Sequence, residues 1–412
     1  MDDQTKRDDQ TQRDDSGRFA PVSELSRGKV LLHALGVIVM LYVFLVGVNC
    51  LSDGIKGLGK GVMDDYLGQG LNPMLGLIAG ILATTLVQSS SVTTSLVVGL
   101  VASGRLDVAS AVPIVMGANI GTTVTNTIAS LAHATSSDEF RRAFAAATCH
   151  DFFNFLSVLV LLPLELSTRL VFGGAGILER TSGWIAGLIT SGSGAKYHSP
   201  LKTAFKLGTE AVEWFGGLFF SSPTGKAVAL SLLGVVIIFL GLASIVKLMR
   251  ALVMTRLERY VNRFLGSGGP VGIVVGLVLT VMVQSSSITT SVLVPLAGAG
   301  LVTLGQVYPI TLGANIGTTI TALLASAAVT GDSAQAARQI ALVHLLFNLA
   351  GILVWYAPPL LRDVPLKAAE WLADLAHRKR RMAVAYVVVV FYVAPALIFF
   401  LSRLIGRALS GA

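Results

Sequence analysis

Charge is scarce in this sequence: only 13% of its 412 residues are Asp, Glu, Lys or Arg, while 53% are hydrophobic. With a mean hydropathy of +0.73, too little polar surface exists to coat a water-soluble globule, and a bilayer is the natural solvent. Cysteine is nearly missing. Cys50 and Cys149 both fall in apolar stretches without a metal-ligand spacing to histidine, so neither a disulfide framework nor a zinc site is implied. The first 29 residues, opening MDDQTKRDDQTQRDDS, lack an apolar core; they are no cleaved signal peptide and read as a disordered tail. No nucleophile, base and orienting group occur together with a recognisable spacing, which argues against an enzyme. The formal net charge is +8, but the basic residues lie beside the hydrophobic segments, where the positive-inside rule expects them. That placement argues against nucleic acid as a partner and for membrane lipid.

What is present is a duplication. Gly76 to Gly104 reads GLIAGILATTLVQSSSVTTSLVVGLVASG, and Gly272 to Gly300 reads GIVVGLVLTVMVQSSSITTSVLVPLAGAG. The later motifs GANIGTTVT from Gly117 and GANIGTTIT from Gly313 keep the same register, and after a two-residue slip His150-Asp-Phe-Phe-Asn154 answers His344-Leu-Leu-Phe-Asn348. Each copy reads as a re-entrant hairpin of two apolar limbs around QSSS, then a transmembrane helix broken at GANIGTT, then a further helix. Unwound Gly and Ser cannot face lipid, where an unsatisfied backbone group costs several kcal/mol, so these segments line protein or water. Seven crossings are expected, near 30–52, 108–131, 140–163, 226–249, 304–328, 336–357 and 382–405. Three of them separate the two hairpins, and an odd number turns the copies opposite ways. The expected fold is an all-α polytopic membrane protein with two inverted-topology repeats, the architecture of many secondary transporters.

The chain divides accordingly. A tail (1–29) precedes a first transmembrane helix with its connector (30–71), and repeat 1 follows (72–163). A long extracellular loop (164–225) leads to a connecting helix with a basic amphipathic segment (226–269). Repeat 2 (270–359) and a basic loop with the last transmembrane helix (360–412) complete the chain. Arg141 and Arg142, then Arg250, Arg256, Arg259 and Arg263, then Arg378, Lys379, Arg380 and Arg381 mark the cytoplasmic side. The loop at 164–225 contains no Asn and hence no N-glycosylation acceptor.

QSSS offers one amide and three hydroxyls, and GANIGTT adds an amide, two hydroxyls and backbone. Hard neutral oxygens suit Na⁺, and N–H groups at half-helix starts favour an anion. Neither motif contains Lys or Arg, so an anion held there relies on hydroxyls, amides and co-bound cations. That points to cation-coupled entry. Ser and Thr in membrane helices also serve close packing or bond back to their own helix, but two copies in matched register favour a site. His150 and His344, on apolar helices, read as satisfied structural histidines. Asp151 is an acid at membrane depth whose counterpart is Leu345, which leaves two readings, a role confined to one repeat or a position at a helix end.

The paired QSSS turns, the paired GANIGTT motifs and EFRRAFAAATCHDFFNFLSVLVLLPLE from Glu139 resemble the type II sodium/phosphate cotransporter family, over roughly Leu31 to Leu401. The resemblance implies sodium-driven symport of inorganic phosphate across the plasma membrane, here the inner membrane of a bacterium, with sodium as co-substrate and no cofactor. By motif it implies that Gln88, Ser89, Ser90, Ser91, Gln284, Ser285, Ser286 and Ser287 contact phosphate or sodium, and that Asn119, Thr122, Thr123, Asn315, Thr318 and Thr319 complete the shells. Animal members carry glycosylation sites and a disulfide in the outer loop; this sequence has neither Asn nor Cys there. Two other readings of the same motifs are transport of another small oxyanion and a passive anion channel.

Overall fold

The computed structural model describes residues 27–58, 72–131, 137–191, 200–264, 269–331 and 333–410. The expected disordered tail lies outside them, apart from its last three residues, which already belong to the first helix. All regular elements among the described residues are helices. Seven are long and apolar enough to cross a membrane: Gly28–Gly57, Val108–Ser130, Asp138–Val171, Pro223–Met249, Leu304–Ala328, Ala334–Trp355 and Arg381–Ser402. They coincide with the seven stretches expected from hydropathy.

Before the first QSSS, α1 (Arg27–Gly57) crosses once, and the hairpin α2 (Pro73–Val87) and α3 (Ser90–Ala102) follows. Then come α4 (Val108–Thr122), α5 (Val124–Ser130) and α6 (Ser137–Val171). After α7 (Ile177–Ser191), α8 (Pro200–Gly217) and α9 (Pro223–Phe264), the same order returns as the hairpin α10 (Pro270–Val283) and α11 (Ser286–Gly298), then α12 (Leu304–Ala328) and α13 (Ala334–Trp355). The chain ends through α14 (Pro359–Arg362), α15 (Val364–Arg378) and α16 (Arg381–Val388), a π-helical turn at Val389–Val393, and α17 (Ala394–Ser410). The hairpin limbs have 15, 13, 14 and 13 residues. At about 1.5 Å per residue each is some 20 Å long, short of the roughly 30 Å of hydrocarbon. No limb is long enough to cross alone, and each pair reverses at its QSSS turn.

Two expectations are corrected. The GANIGTT helix is not broken in repeat 2, where α12 runs unbroken through Gly313 to Thr321, and in repeat 1 it is interrupted only at Thr123, between α4 and α5. The motif's glycines serve approach, not unwinding. A methyl on Gly117 would collide with the Leu77 carbonyl and one on Gly80 with the Ile114 carbonyl; in repeat 2, Gly313 meets the Ile273 carbonyl and Gly276 that of Ile310. Without side chains at these positions, α2 and α10 lie backbone to backbone on α4 and α12, the small-residue packing that lipid-embedded helices use when no hydrophobic force separates protein from solvent. The stretch 164–225 is not simply a loop: α6 extends to Val171, and α7 and α8 occupy much of the rest. Its Gly and Ser conceal a helical period, since Leu207 and Trp214 are exposed along one side of α8, and Lys206, Glu210 and Glu213 line a cavity on another.

The second limb of each hairpin packs on the opposite repeat: α3 against α12 and α13, and α11 against α5 and α6. This crossed packing builds the core, with Val97, Val98, Val115, Met116, Val343 and Phe347 in one cluster and Phe153, Leu293 and Tyr308 in another. In α4–α5, 78% of the most apolar window is buried, against 17% in α1 and in the last span. The repeats are therefore the interior. The outer helices turn Leu31, Leu35, Ile38, Leu397 and Phe400 outward, as lipid contact requires.

Candidate functional site: the paired QSSS turns

Among the described residues, only two other than glycine have positive φ, and they are Gln88 and Gln284, each at φ 57°. Each glutamine ends its first limb in the left-handed conformation, its N–H bonded to the carbonyl of Thr84 or Thr280 at 2.7 Å. An L-residue there costs about 1–2 kcal/mol, so two matched instances mark a constrained turn where the side chain is wanted. The next residue is extended and caps the second limb: Ser89 Oγ accepts from Val92 N, and Ser285 Oγ from Ile288 N, both at 3.3 Å.

The glutamine side chains tie each turn to its own long helix. Gln88 Oε1 accepts from Thr125 Oγ1 at 2.9 Å, and its Nε2 donates to the Thr85 carbonyl and, at 3.4 Å, to Tyr392 Oη of the last span. Gln284 Oε1 accepts from Thr321 Oγ1 at 3.3 Å, while Nε2 donates to the Val281 carbonyl at 2.6 Å. Thr125 and Thr321 hold the ninth position of GANIGTTVT and GANIGTTIT, and the sequence reading passed over them. Their matched register was the signal available. Gln88 is exposed and Gln284 half-buried.

The 14 residues singled out from sequence separate into groups. Ser90, Ser91 and Ser286 are buried and Ser287 half-buried, at the first turns of α3 and α11. Their hydroxyls enter no hydrogen bond among the described residues; only their carbonyls do, accepting from Thr94, Ser95 and Thr290. The threonines are committed to their own helix. Thr122 donates to Ala118 O, Thr123 to Ile120 O, Thr318 to Ala314 O and Thr319 to Ile316 O, at 2.7–3.1 Å. Asn119 and Asn315 join the repeats: His150 Nε2 lies 2.6 Å from Asn315 Oδ1, His344 Nε2 lies 3.4 Å from Asn119 Oδ1, and Asn315 Nδ2 donates to Asn154 Oδ1 at 2.9 Å. The histidines, read from sequence as structural, thus hold residues of the site. Ser291 Oγ adds a donor across the interface to Asn126 Oδ1 at 3.2 Å.

Asp151 is fully buried beside the end of the repeat 1 motif. Its carboxylate accepts from Thr127 Oγ1 at 3.0 Å and Tyr386 Oη at 2.9 Å, both neutral donors. Among the described residues no Lys or Arg pairs with it, an uncommon arrangement for an acid buried in a membrane span.

A sequence profile described as Na+/Pi-cotransporter matches residues 43–162 and 237–362, which hold both repeats and omit α7 and α8. Sodium-dependent phosphate transport protein 2A of Ovis aries is 35% identical over 93% of this chain and 70% of its own length. The 2A protein of Rattus norvegicus is 35% identical over 90% of this chain and 68% of its own. Sodium-dependent phosphate transport protein 2B of Homo sapiens is 33% identical over 94% and 68%. No solved structure matches the chain. With both repeats inside the matched segments and the turns in register, the chain belongs to the Na+/Pi-cotransporter family.

Proposed function

We propose that this chain is a sodium-coupled symporter of inorganic phosphate. The observation that carries this reading is the pair of QSSS turns, with the hydroxyls of Ser90, Ser91, Ser286 and Ser287 uncommitted at the starts of two helices. The first N–H groups of a helix lack intrahelical partners and carry the positive end of its dipole. Hydroxyl donors beside two such ends give a tetrahedral oxyanion several hydrogen bonds without a fixed positive charge. Cations must then supply the neutralising charge, which couples phosphate entry to sodium. The neutral oxygens of Gln88, Gln284 and the motif threonines suit sodium, and Asp151 adds a buried carboxylate beside the repeat 1 motif.

The three crossings between the hairpins (α4–α5, α6 and α9) turn the repeats opposite ways in the membrane, and the crossed packing of α3 and α11 fits that two-fold relation. Alternating access then consists of one repeat opening while the other closes. In a bacterial inner membrane, the positive-inside rule places Arg141, Arg142 and Arg378 to Arg381 at the cytoplasm and α7 and α8 outside.

Purified protein in proteoliposomes should accumulate labelled phosphate against its gradient only under an inward sodium gradient. Equal uptake driven by potassium or protons refutes the coupling, and downhill flux alone makes the protein a channel. Sulfate or a carboxylate competing as well as arsenate would reassign the cargo.

A further inference from the structure

Two sets of buried amides join the repeats, copies of one another in sequence but unequally made. In the first, His150 Nε2 and Asn315 Oδ1 are 2.6 Å apart, and Asn315 Nδ2 donates to Asn154 Oδ1 at 2.9 Å. Asn126 Nδ2 lies 3.5 Å from His150 Nδ1, so one neutral tautomer, protonated on Nε2, donates to Asn315 and accepts from Asn126. In the second set the matching residues are His344, Asn119 and Asn348. His344 Nε2 stands off at 3.4 Å from Asn119 Oδ1, Asn348 Nδ2 reaches the same oxygen at 3.2 Å, and Asn119 Nδ2 turns back to its own helix, donating to Val115 O at 3.0 Å. Two fully buried atoms are left without partners there, His344 Nδ1 and Asn348 Oδ1.

Buried polar groups without partners are rare, because each forfeits the hydration it gave up. Asn348 Oδ1 has a specific partner within the pattern of the protein itself. It corresponds to Asn154 Oδ1, and the donor that fills Asn154 Oδ1 belongs to Asn315, the counterpart of Asn119. Were Asn119 to do what Asn315 does, the orphan would be satisfied.

Resting on the symport reading above, we propose that these residues are two interchangeable clasps positioning the GANIGTT asparagines, and that transport exchanges them. The structure holds the first clasp closed and the second open. In the exchanged state Asn119 Nδ2 leaves Val115 O for Asn348 Oδ1 while His344 closes on Asn119. Asn315 then falls back on the carbonyl of Thr311, the counterpart of Val115. Each asparagine sits on the same span as the threonine that holds a QSSS glutamine, Asn315 and Thr321 on α12 and Asn119 and Thr125 on either side of the interruption between α4 and α5, so a swap moves the two turns in opposite senses. His150, His344, Asn154 and Asn348 are positioning residues: they act through Asn119 and Asn315.

The proposal separates two variants that a purely structural role makes alike. Asn348→Val removes the open clasp's orphaned acceptor together with its donor bonds to Asn119 Oδ1 at 3.2 Å and to the His344 carbonyl at 3.0 Å, relief of the orphan offsetting the loss of the two bonds. It should leave the thermal midpoint at the wild-type value and slow phosphate turnover about tenfold, the weight of one buried hydrogen bond lost from the exchanged state only. Asn154→Val breaks the closed clasp and should lower the midpoint. The second readout needs no phosphate. With Cys50 and Cys149 replaced by alanine, Ser291→Cys at the interface should be labelled by a permeant thiol reagent more slowly than the reference with Asn348→Val and faster with Asn154→Val. If Asn154→Val does not survive extraction, His150→Leu takes its place. Labelling that moves in the same direction for both variants overturns the exchange. So does an Asn348→Val protein as destabilised as Asn154→Val with turnover within twofold of wild type. Opposite labelling shifts in a wild-type background that moves no phosphate would leave the clasps standing and refute the symport reading.

Discussion

Gln88 and Gln284 combine a strained backbone with a side chain that tethers the turn, and replacing them by alanine and by glycine separates the two. In Gln88→Ala the left-handed conformation keeps its penalty and the bond from Thr125 is lost, a net destabilisation of about 1 kcal/mol. In Gln88→Gly the same bond is lost, but glycine adopts φ 57° freely and releases about 1 kcal/mol. The two terms nearly cancel. Thermal unfolding in detergent, followed by tryptophan fluorescence, should therefore rank wild type and Gln88→Gly together above Gln88→Ala, and the Gln284 pair likewise. Sodium-driven uptake in proteoliposomes should be abolished in all four variants, because each loses the amide that joins the turn to its helix. Wild-type uptake by either glycine variant would remove the glutamine from the site, and equal stability of the alanine and glycine variants would show that the turn carries no strain.

Thr125→Val and Thr321→Val take away the donor on the other side of the same contact. Initial-rate uptake should show the phosphate KM raised several-fold in each, since the glutamine stays but is no longer held, and the melting midpoint lowered about as much as in the matching alanine variant, because the same bond is lost. Gly117→Ala and Gly313→Ala drive a methyl into the carbonyls of Leu77 and Ile273; overpacking of this kind costs about 1–3 kcal/mol, and detergent-extracted protein should melt earlier in proportion. Asp151→Asn keeps the hydrogen bonds within reach and removes the charge, so uptake measured against sodium concentration should show weakened sodium dependence, with folding intact. At the helix surface, the Arg141 guanidinium holds the Asp374 carboxyl below its ordinary value. A depressed carboxylate stabilises above its unfolded pKa of about 3.8 and loses that contribution as pH falls through the lower folded value. The attachment of α15 to α6 should then loosen only below about pH 4, read as faster amide exchange in Val364–Arg378; the same loosening at pH 6 would refute the assignment.

Sequence alone determined the seven crossings, the short hairpin limbs and the duplication. In a bilayer, apolar length and the demand that every backbone group be satisfied leave few alternatives. The register of the two QSSS turns was equally plain, because it is a local pattern written twice. The path of the GANIGTT helix was not legible, since a run of Gly, Asn and Thr reads alike as an unwound segment or as a face for close approach. Only the carbonyls of Leu77 and Ile273 beside Gly117 and Gly313 decide between them. The helices within 164–225 were hidden for a related reason: small residues loosen the period that burial makes visible. Nor could the sequence pair His150 with Asn315 or His344 with Asn119. Those contacts join residues 165 and 225 positions apart, and their partners are chosen by the crossed packing of the repeats, which only the tertiary structure decides.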